Sequence, residues 1–183
     1  MALLFQSNPD QWDLRRYLQP GEKVSWFVTR YLSQMKPDVL TLLWEAQGSQ
    51  SPVVRGLYGW GVTLDEATPD ERGRMRILLQ YVERWVSAGD VKQNTPEYNQ
   101  VAGIPASVVL SLPTWQDHLL NKMPVGTNFI VSPAQLKALS GLVQKKFPGS
   151  AFPQAAQLYL QSKPLSLGQF AMQSVKEVDD GQQ

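Results

Sequence analysis

The stretch Val24–Val62, VSWFVTRYLSQMKPDVLTLLWEAQGSQSPVVRGLYGWGV, decides the fold of this chain. Within it, Val39–Ala46 is nearly continuous in apolar and β-branched residues, which predicts a strand buried on both faces. Val53–Val62 predicts the next strand, which contains glycines at positions 56, 59 and 61. Glycines inside a strand mark bulges, sharp bends or the close approach of another backbone. We therefore expect a strongly coiled sheet, as at the corner of a small barrel.

The segment before this stretch predicts one strand and one helix. Ala2–Gln6 is a short apolar run that predicts the strand. Asn8 follows as a helix N-cap, with Pro9 at the first helical position. The predicted helix ends near Leu18, before a Pro-Gly pair. The residues expected on its buried side are Trp12, Tyr17 and Leu18.

The remaining elements are predicted from periodicity and capping signals. Val24–Tyr31 is equally compatible with a strand and with the start of a helix. Arg74–Trp85 alternates and predicts a strand, whereas Ser132 followed by Pro133 predicts the start of a helix. Gln154–Gln161 predicts a short helix. Strands interrupted and closed by helices, without regular β-α-β alternation, indicate an α+β fold around a small mixed or antiparallel sheet.

Length and composition restrict the class of protein. A chain of 183 residues, 43% hydrophobic and 18% charged, is expected to form one globular domain with its own core. We place this domain at residues 1–147, and a C-terminal extension with a short helix and a frayed tail at residues 148–183. The sequence shows no signal peptide and no apolar run of the ~20 residues that a membrane span needs. We therefore expect a cytoplasmic protein that does not enter a membrane.

The residues that carry most enzyme chemistry are scarce. The chain has no cysteine, no phosphate loop and no dinucleotide-binding fingerprint, and its single histidine, His118, excludes a multi-histidine metal site. The carboxylates between Asp65 and Glu71 fall in a polar loop, which favours a solvated surface over an acid–base pair. We therefore expect a protein that is not an enzyme and has no cofactor. The net charge of +1 disfavours blanket phosphate binding and leaves base recognition or a local basic patch open.

Tryptophan is the residue type that points most directly to a function. Core packing is the commonest role of a buried indole. It is favoured most for Trp44, which lies in the run predicted to be buried on both faces. Trp26, beside a serine, and Trp60, between two glycines, are the better candidates for the walls of a pocket. Aromatic faces suit a flat heterocycle such as a nucleobase.

Five short motifs follow one another along the chain. They are FQSNP at Phe5–Pro9, W-x-V-x-R-Y at Trp26–Tyr31, the K-P-D turn at Lys36–Asp38 leading into a strand that ends in Trp44, RGLYGWG at Arg55–Gly61, and GTNF at Gly126–Phe129 followed by the SPAQLKAL helix. Between Leu4 and about Leu142, this ordered set resembles the EVE domain, a member of the PUA-like superfamily related to the YTH readers of methylated adenine.

This resemblance implies both a fold and a site. The fold would be α+β and PUA-like, with a small, partly open mixed β-barrel surrounded by helices. The site would be a non-catalytic aromatic cage for a modified base, flipped out of a duplex or presented on a single strand. The base-binding residues carried over from the family are Trp26 with Trp60 or Tyr58 as walls, Asn8 as a reader of the base edge, and Trp44, Arg55 and Thr127 as further candidates.

Two other interpretations stay open at this point. The same pocket would hold a substrate if the chain were an enzyme acting on a modified nucleotide. The tryptophans would form an exposed contact patch if it were a protein-interaction domain. Under the favoured interpretation the partner is modified DNA or RNA. Any nuclease or other effector would be a separate protein, because we recognise no nuclease or motor domain in this sequence.

Overall fold

The computed structural model describes residues 1–49, 54–85, 103–122, 128–165 and 167–171. The strands are β1 (Ala2–Ser7), β2 (Lys23–Phe27), β3 (Leu40–Glu45), β4 (Gly56–Thr63), β5 (Thr68–Pro69), β6 (Met75–Arg84), β7 (Ile104–Pro105) and β8 (Asn128–Val131). The α-helices are α1 (Leu14–Tyr17), α2 (Ala106–Leu110), α3 (Leu119–Lys122), α4 (Pro133–Lys146), α5 (Phe152–Leu160) and α6 (Leu167–Ala171). Single 3₁₀ turns occupy Leu32–Gln34 and Pro113–Trp115.

The strands predicted around the central stretch are confirmed. Every residue of β3 is buried, as its continuous apolar sequence predicts. The segment that was compatible with strand or helix forms β2 and ends at Phe27. The helix predicted at Ser132 is α4, where Ser132 and Gln135 form a capping box that satisfies two N-terminal backbone groups.

The prediction for the first helix is wrong in its start and in its buried face. Asn8 is not a helix N-cap, because its side chain accepts a hydrogen bond from the Asp10 backbone N–H and closes a local turn. Asp13 caps α1 instead, five residues later. Trp12 and Tyr17 are 39% and 45% exposed, respectively. Only Leu18, of the three residues expected on the buried side, is buried.

The strands form one mixed sheet. Its order is β2-β6-β4-β3-β1-β8, with β5 added beside β6 and β7 beside β4. The β1–β3 pair is parallel, whereas the other pairs are antiparallel. The long chain between β1 and β3, which contains α1 and β2, allows this parallel pairing.

The sheet curls so far that strands distant in the order meet. β1 and β2 are separated by three strands, yet the rings of Phe5 and Trp26 lie 5.6 Å apart, edge to face. The buried Asn128 side chain of β8 accepts hydrogen bonds from the backbone N–H groups of Thr29 and Arg30, just beyond β2. A side chain thus bridges the two ends of the sheet where no strand pairing exists, and the barrel is partly open.

Alternation along the strands creates two apolar clusters, one on each face of the sheet. The inner cluster lies within the curl and contains Leu3, Phe5, Leu14, Leu18, Trp26, Leu43, Tyr58, Ile77, Leu79 and Tyr81, together with Val28 and Met35. The outer cluster lies between the sheet and the helices and includes Leu4, Leu42, Trp44, Trp60, Trp85, Trp115, Phe129, Leu136 and Phe152. Neighbouring residues of one strand therefore serve different cores.

The glycines of β4 permit the close strand contacts of the curl. A Cβ atom at Gly59 would lie 2.2 Å from the carbonyl oxygen of Glu83, and one at Gly61 would lie 2.5 Å from that of Gln80. The pairing of β4 with β6 shifts register between Trp60 and Gly61, which confirms the predicted irregularity. The fold is α+β, a small, partly open mixed barrel with helices packed around it, as predicted.

Within the described residues, no helix has both the length and the apolar character to cross a bilayer. The short helix predicted near Gln154–Gln161 is observed as α5. Its Phe152, Ala155 and Ala156 belong to the outer cluster together with strand residues. The division of the chain at residue 147 stays a prediction.

Candidate functional site

An open cavity lies where the curled sheet brings β1 close to β2. We call it the seam cavity; its volume is about 260 Å³. Its lining residues are Gln6 and Ser7 at the end of β1, Asn8, Gln11 and Trp12 in the following turn, Val24–Phe27 of β2, and Arg76 of β6. The lining therefore combines three aromatic rings with amides, hydroxyls and one guanidinium.

Trp26 forms a rigid wall of the seam cavity. Its side chain is 9% exposed, and its indole N–H donates to the Tyr81 hydroxyl over 3.0 Å. Burial raises the pKa of Tyr81 to about 12, although hydrogen bonds with Trp26 and Trp12 act in the opposite direction. Tyr81 stays a neutral hydroxyl at physiological pH. Packed against Phe5 and bonded to Tyr81, the Trp26 ring is fixed before any ligand arrives.

The turn between β1 and α1 supplies Asn8 and Trp12. Asn8 is exposed, and its backbone carbonyl oxygen accepts hydrogen bonds from the backbone N–H groups of Gln11 and Trp12. The Ser7 hydroxyl donates to the Trp12 carbonyl oxygen. The Trp12 backbone is therefore held at both its polar groups while its indole remains 39% exposed.

A group of buried ionisable side chains supports this turn. Asp13 pairs with Arg15, and both side chains are nearly inaccessible to solvent. The carboxylate of Glu45, at the end of β3, accepts a 2.7 Å hydrogen bond from the Leu14 backbone N–H. Burial raises the pKa of Glu45 to about 8, with the Leu14 hydrogen bond acting in the opposite direction. The start of α1 is thus anchored to the sheet by buried polar side chains.

Arg76 brings positive charge to the rim of the seam cavity. Its guanidinium lies 3.2 Å from the Asp70 carboxylate, which also pairs with Arg74 at 2.8 Å. Backbone and side-chain hydrogen bonds from Arg74, followed by those from Arg72 and Arg76, hold the pKa of Asp70 well below its usual range. Asp70 therefore remains ionised and orients two arginines, of which Arg76 lines the cavity.

Asn8 and Trp26 both line the seam cavity, but the structure places Trp60 elsewhere. Trp60 is fully buried in the outer cluster, with ring centroids 5.9 Å from Phe152 and 5.5 Å from Phe170. Its indole N–H donates to the carboxylate of Glu83 over 2.7 Å. Trp60 is not a wall of the seam cavity, because it points to the helix-covered face whereas Trp26 points into the curl.

Tyr58, Trp44 and Arg55, which were also predicted to bind the base, do not line the seam cavity. Tyr58 is buried in the inner cluster and donates its hydroxyl to the Val54 carbonyl oxygen. Trp44 is fully buried, which agrees with the core role favoured for it. Arg55 lies 5.4 Å from the Trp44 ring centroid and donates to the Leu120 carbonyl oxygen; burial lowers its pKa. Thr127 lies outside the described residues.

Sequence reasoning missed Trp12 and Phe27 as cavity residues. Both are 39% exposed and line the seam cavity. Trp12 was expected on the buried side of the first helix, but it lies in the turn before α1. The signal that was available is its position four residues after Asn8, in the polar segment that follows the first strand. Residues in turns between elements often carry function.

The remaining titratable candidates serve the fold. His118 is buried, its Nε2 lies 2.9 Å from the Ile130 carbonyl oxygen, and its Nδ1 accepts from the Leu120 backbone N–H. Burial lowers its pKa and favours the neutral ring. The described part of the chain contains no cluster of three or more His, Cys, Asp or Glu residues arranged to hold a metal ion.

Fold and site together define a small α+β domain with a partly open mixed barrel and an aromatic cavity at its seam. No family model matches the chain, and no curated protein sequence does so. Solved structures do match it. A hypothetical protein from Leishmania major is 12% identical, with a TM-score of 0.55 over 79% of this chain and 94% of that chain. A protein from Pseudomonas syringae is 17% identical, with a TM-score of 0.53 over 78% and 99%.

A third similar structure is the human THYN1 protein in complex with DNA that contains 5-methylcytosine. It is 13% identical, and the TM-score is 0.54 over 77% of this chain and 96% of that chain. At these identities the comparisons show a shared fold. They support the PUA-like architecture that the EVE resemblance implied, which is that of the THYN1 domain.

Proposed function

We propose that this chain is a nucleic-acid-binding module that holds one modified or flipped base in the seam cavity. The observation that carries this proposal is the cavity itself, an open concavity with indole walls and polar edges. Its volume of about 260 Å³ is below the range of roughly 300–1,000 Å³ typical of sites for drug-sized ligands. It therefore suits one ring system rather than a dinucleotide.

The lining supplies the interactions that an extruded base needs. Trp12 and Trp26 offer aromatic surface for stacking, which is worth about 1–3 kcal/mol per base. The side chains of Gln6, Asn8 and Ser25 offer the donors and acceptors that read a base edge. Arg76 offers a cation for the adjoining phosphate. Removing a base from a duplex costs a few kcal/mol, which this set of contacts is sufficient to offset.

The choice of ligand has support from the comparison with THYN1. That protein shares the fold and was solved with DNA that contains 5-methylcytosine, so modified DNA is the first ligand to test. We propose that the module acts without catalysis and that any effector is a separate protein. In support, the seam cavity is lined by neither a carboxylate nor a histidine among the described residues.

A binding screen tests the proposal. Fluorescent DNA and RNA oligonucleotides carrying 5-methylcytosine, 5-hydroxymethylcytosine, N6-methyladenine or no modification are titrated with the protein at one stated salt concentration, since phosphate contacts make affinity salt-dependent. We expect at least one modified base to bind about four-fold more tightly than its unmodified form, the effect of burying one methyl group. The substitution Trp12→Ala should weaken that binding roughly 5- to 150-fold, the loss of one stacking surface.

Leu160→Ala is the matched control for Trp12→Ala. Leu160 is also 39% exposed, but it lies beside Met1, at the opposite end of β1 from the seam cavity. Equal loss of binding in the two variants, or no preference for any modified base, would contradict the proposal. Turnover of a modified nucleotide would establish the enzyme interpretation instead. Of the six tryptophans only Trp12 is well exposed, and it lines a concavity, which favours a pocket over a protein-contact patch.

A further inference from the structure

Two exposed aromatic rings stand beside the seam cavity. Trp12 and Tyr17 are stacked, with ring centroids 4.3 Å apart and planes inclined by 27°. Their exposed fractions are 39% and 45%. Large aromatic rings contribute to stability mainly through burial, so a stacked pair left in solvent is poorly explained by the requirements of the core.

The backbone that carries this pair is held firmly. Asp13, between the two rings in sequence, caps α1 by accepting a hydrogen bond from the Arg15 backbone N–H. Leu14 and Leu18 are fully buried in the inner cluster. The Glu45 carboxylate accepts the Leu14 N–H. The anchored segment thus presents Trp12 and Tyr17 outward in a fixed arrangement, which lowers the entropic cost of binding a flat ligand.

The pair extends the seam cavity outward. Trp12 lines the cavity, whereas Tyr17 does not, and Tyr17 stacks on Trp12. Aromatic surface therefore continues from the base-holding cavity to an exposed tyrosine ring. Along a nucleic-acid strand the next base follows in the same way, and successive aromatic side chains that stack successive bases are typical of single-strand binding proteins.

We propose that Tyr17 stacks on the base next to the one held in the seam cavity, so that the ligand is an unpaired nucleic-acid segment of at least two nucleotides. This inference rests on the proposed function and adds to it the substrate class, a single-stranded or locally opened strand rather than a nucleoside. Recognition by Tyr17 requires only the face of the neighbouring base, and it is therefore tolerant of sequence.

The test uses two single-stranded DNA nonamers with a central 5-methylcytosine. One carries normal bases on both sides of it, and the other carries abasic sites there. The wild-type protein should bind the abasic-flanked strand roughly 5- to 150-fold more weakly, the effect of one lost base stack. The Tyr17→Ala protein should bind the normal strand more weakly by the same factor, and it should bind the two strands with equal affinity. The Tyr17→Phe protein should retain the wild-type difference in affinity between the two strands.

The outcomes separate this inference from the proposed function. If the wild-type protein binds both strands equally and Tyr17→Ala changes neither affinity, the cavity binds a base but Tyr17 contacts no neighbour, and the inference is overturned. If Tyr17→Ala weakens both strands equally, its role lies in supporting Trp12, which also overturns it. If no strand binds to the wild-type protein, the proposed function itself fails. The thermal unfolding midpoint of each variant establishes that it is folded.

Discussion

At the scale of single residues, the fold alters the chemistry of Glu45. It is fully buried at the end of β3. One carboxylate oxygen accepts the Leu14 N–H, and the other has no hydrogen-bond partner among the described residues. Burial raises its pKa from 4.5 to about 8. The protonated form is therefore the one that the folded protein favours near neutral pH.

The raised pKa of Glu45 predicts a pH-dependent stability. The folded protein binds the Glu45 proton more tightly than the unfolded chain, so the free energy of unfolding falls as pH rises from about 4.5 to about 8. Glu45→Gln keeps an acceptor for Leu14 and cannot ionise. It should remove a slope of up to about 1.4 kcal/mol per pH unit, measured by urea unfolding across that window.

The control for this prediction is Glu71→Gln, which changes an exposed carboxylate in the loop before β6. It removes one carboxylate as Glu45→Gln does, and the comparison tests whether a change in slope is specific to position 45. If the free energy of unfolding depends on pH in the same way for the wild type and Glu45→Gln, then Glu45 ionises in the folded protein as it does in the unfolded chain, and the prediction is contradicted.

At the scale of secondary-structure elements, the glycines of β4 determine how closely the strands pack. A side chain at Gly59 or Gly61 would collide with the backbone of β6, which cannot move as a flexible side chain can. The same residue type has no such role in α4, where a Cβ atom at Gly141 would have no neighbour within 4 Å.

These two environments predict opposite effects of the same substitution. Gly59→Ala should destabilise the protein by about 1–3 kcal/mol or more, because it forces β4 and β6 apart. Gly141→Ala should stabilise it by about 0.5–1 kcal/mol, because alanine is the better helix former at an unhindered position. Urea unfolding of both variants measures the difference. A Gly59→Ala protein as stable as Gly141→Ala would show that β4 does not need its glycines for strand contact.

At the scale of the whole molecule, the sheet separates two cores with different tasks. The inner cluster supports the seam cavity through Trp26, Phe5 and Tyr81. The outer cluster joins the sheet to the helices, and Phe152 of α5 packs 5.1 Å from the ring of Trp85. The C-terminal helices contact the outer cluster rather than the cavity.

This arrangement predicts the effect of shortening the chain. A protein that ends at Phe147 loses α5 and α6 and uncovers Trp60 and Trp85. Removing one buried phenylalanine typically costs about 3–5 kcal/mol, and this truncation removes two. We expect the shortened protein to lose cooperative thermal unfolding. Tryptophan fluorescence, recorded as the temperature rises, measures this. A protein that ends at Ala171 retains the contacts of α5 and α6 and is the control. Wild-type stability of the shorter protein would contradict this expectation and support a domain boundary at residue 147.

Local sequence was sufficient to predict several elements of the fold. The apolar run of β3, the capping signal of α4 and the glycine pattern of β4 depend on neighbours along the chain, and all three are confirmed. Asn8 and Trp26 were also named as site residues, and both line the seam cavity. The predicted start of α1 was wrong because the sequence offers two local capping residues, Asn8 and Asp13, and the helix uses the second.

The sequence by itself therefore determined the α+β class and the central strands. It also showed six tryptophans beside one histidine and no cysteine. Only the tertiary structure decided which tryptophans meet at one site. Trp60 and Trp26 both belong to short aromatic strand segments. Strand alternation and a register shift in the pairing of β4 with β3 direct Trp60 to the helices, whereas curling of the sheet brings Trp26 to Phe5 and to the Asn8 turn. The physical reason is that the seam cavity forms between strands that are not neighbours in the sheet, and the local pattern of a sequence carries no information about that contact.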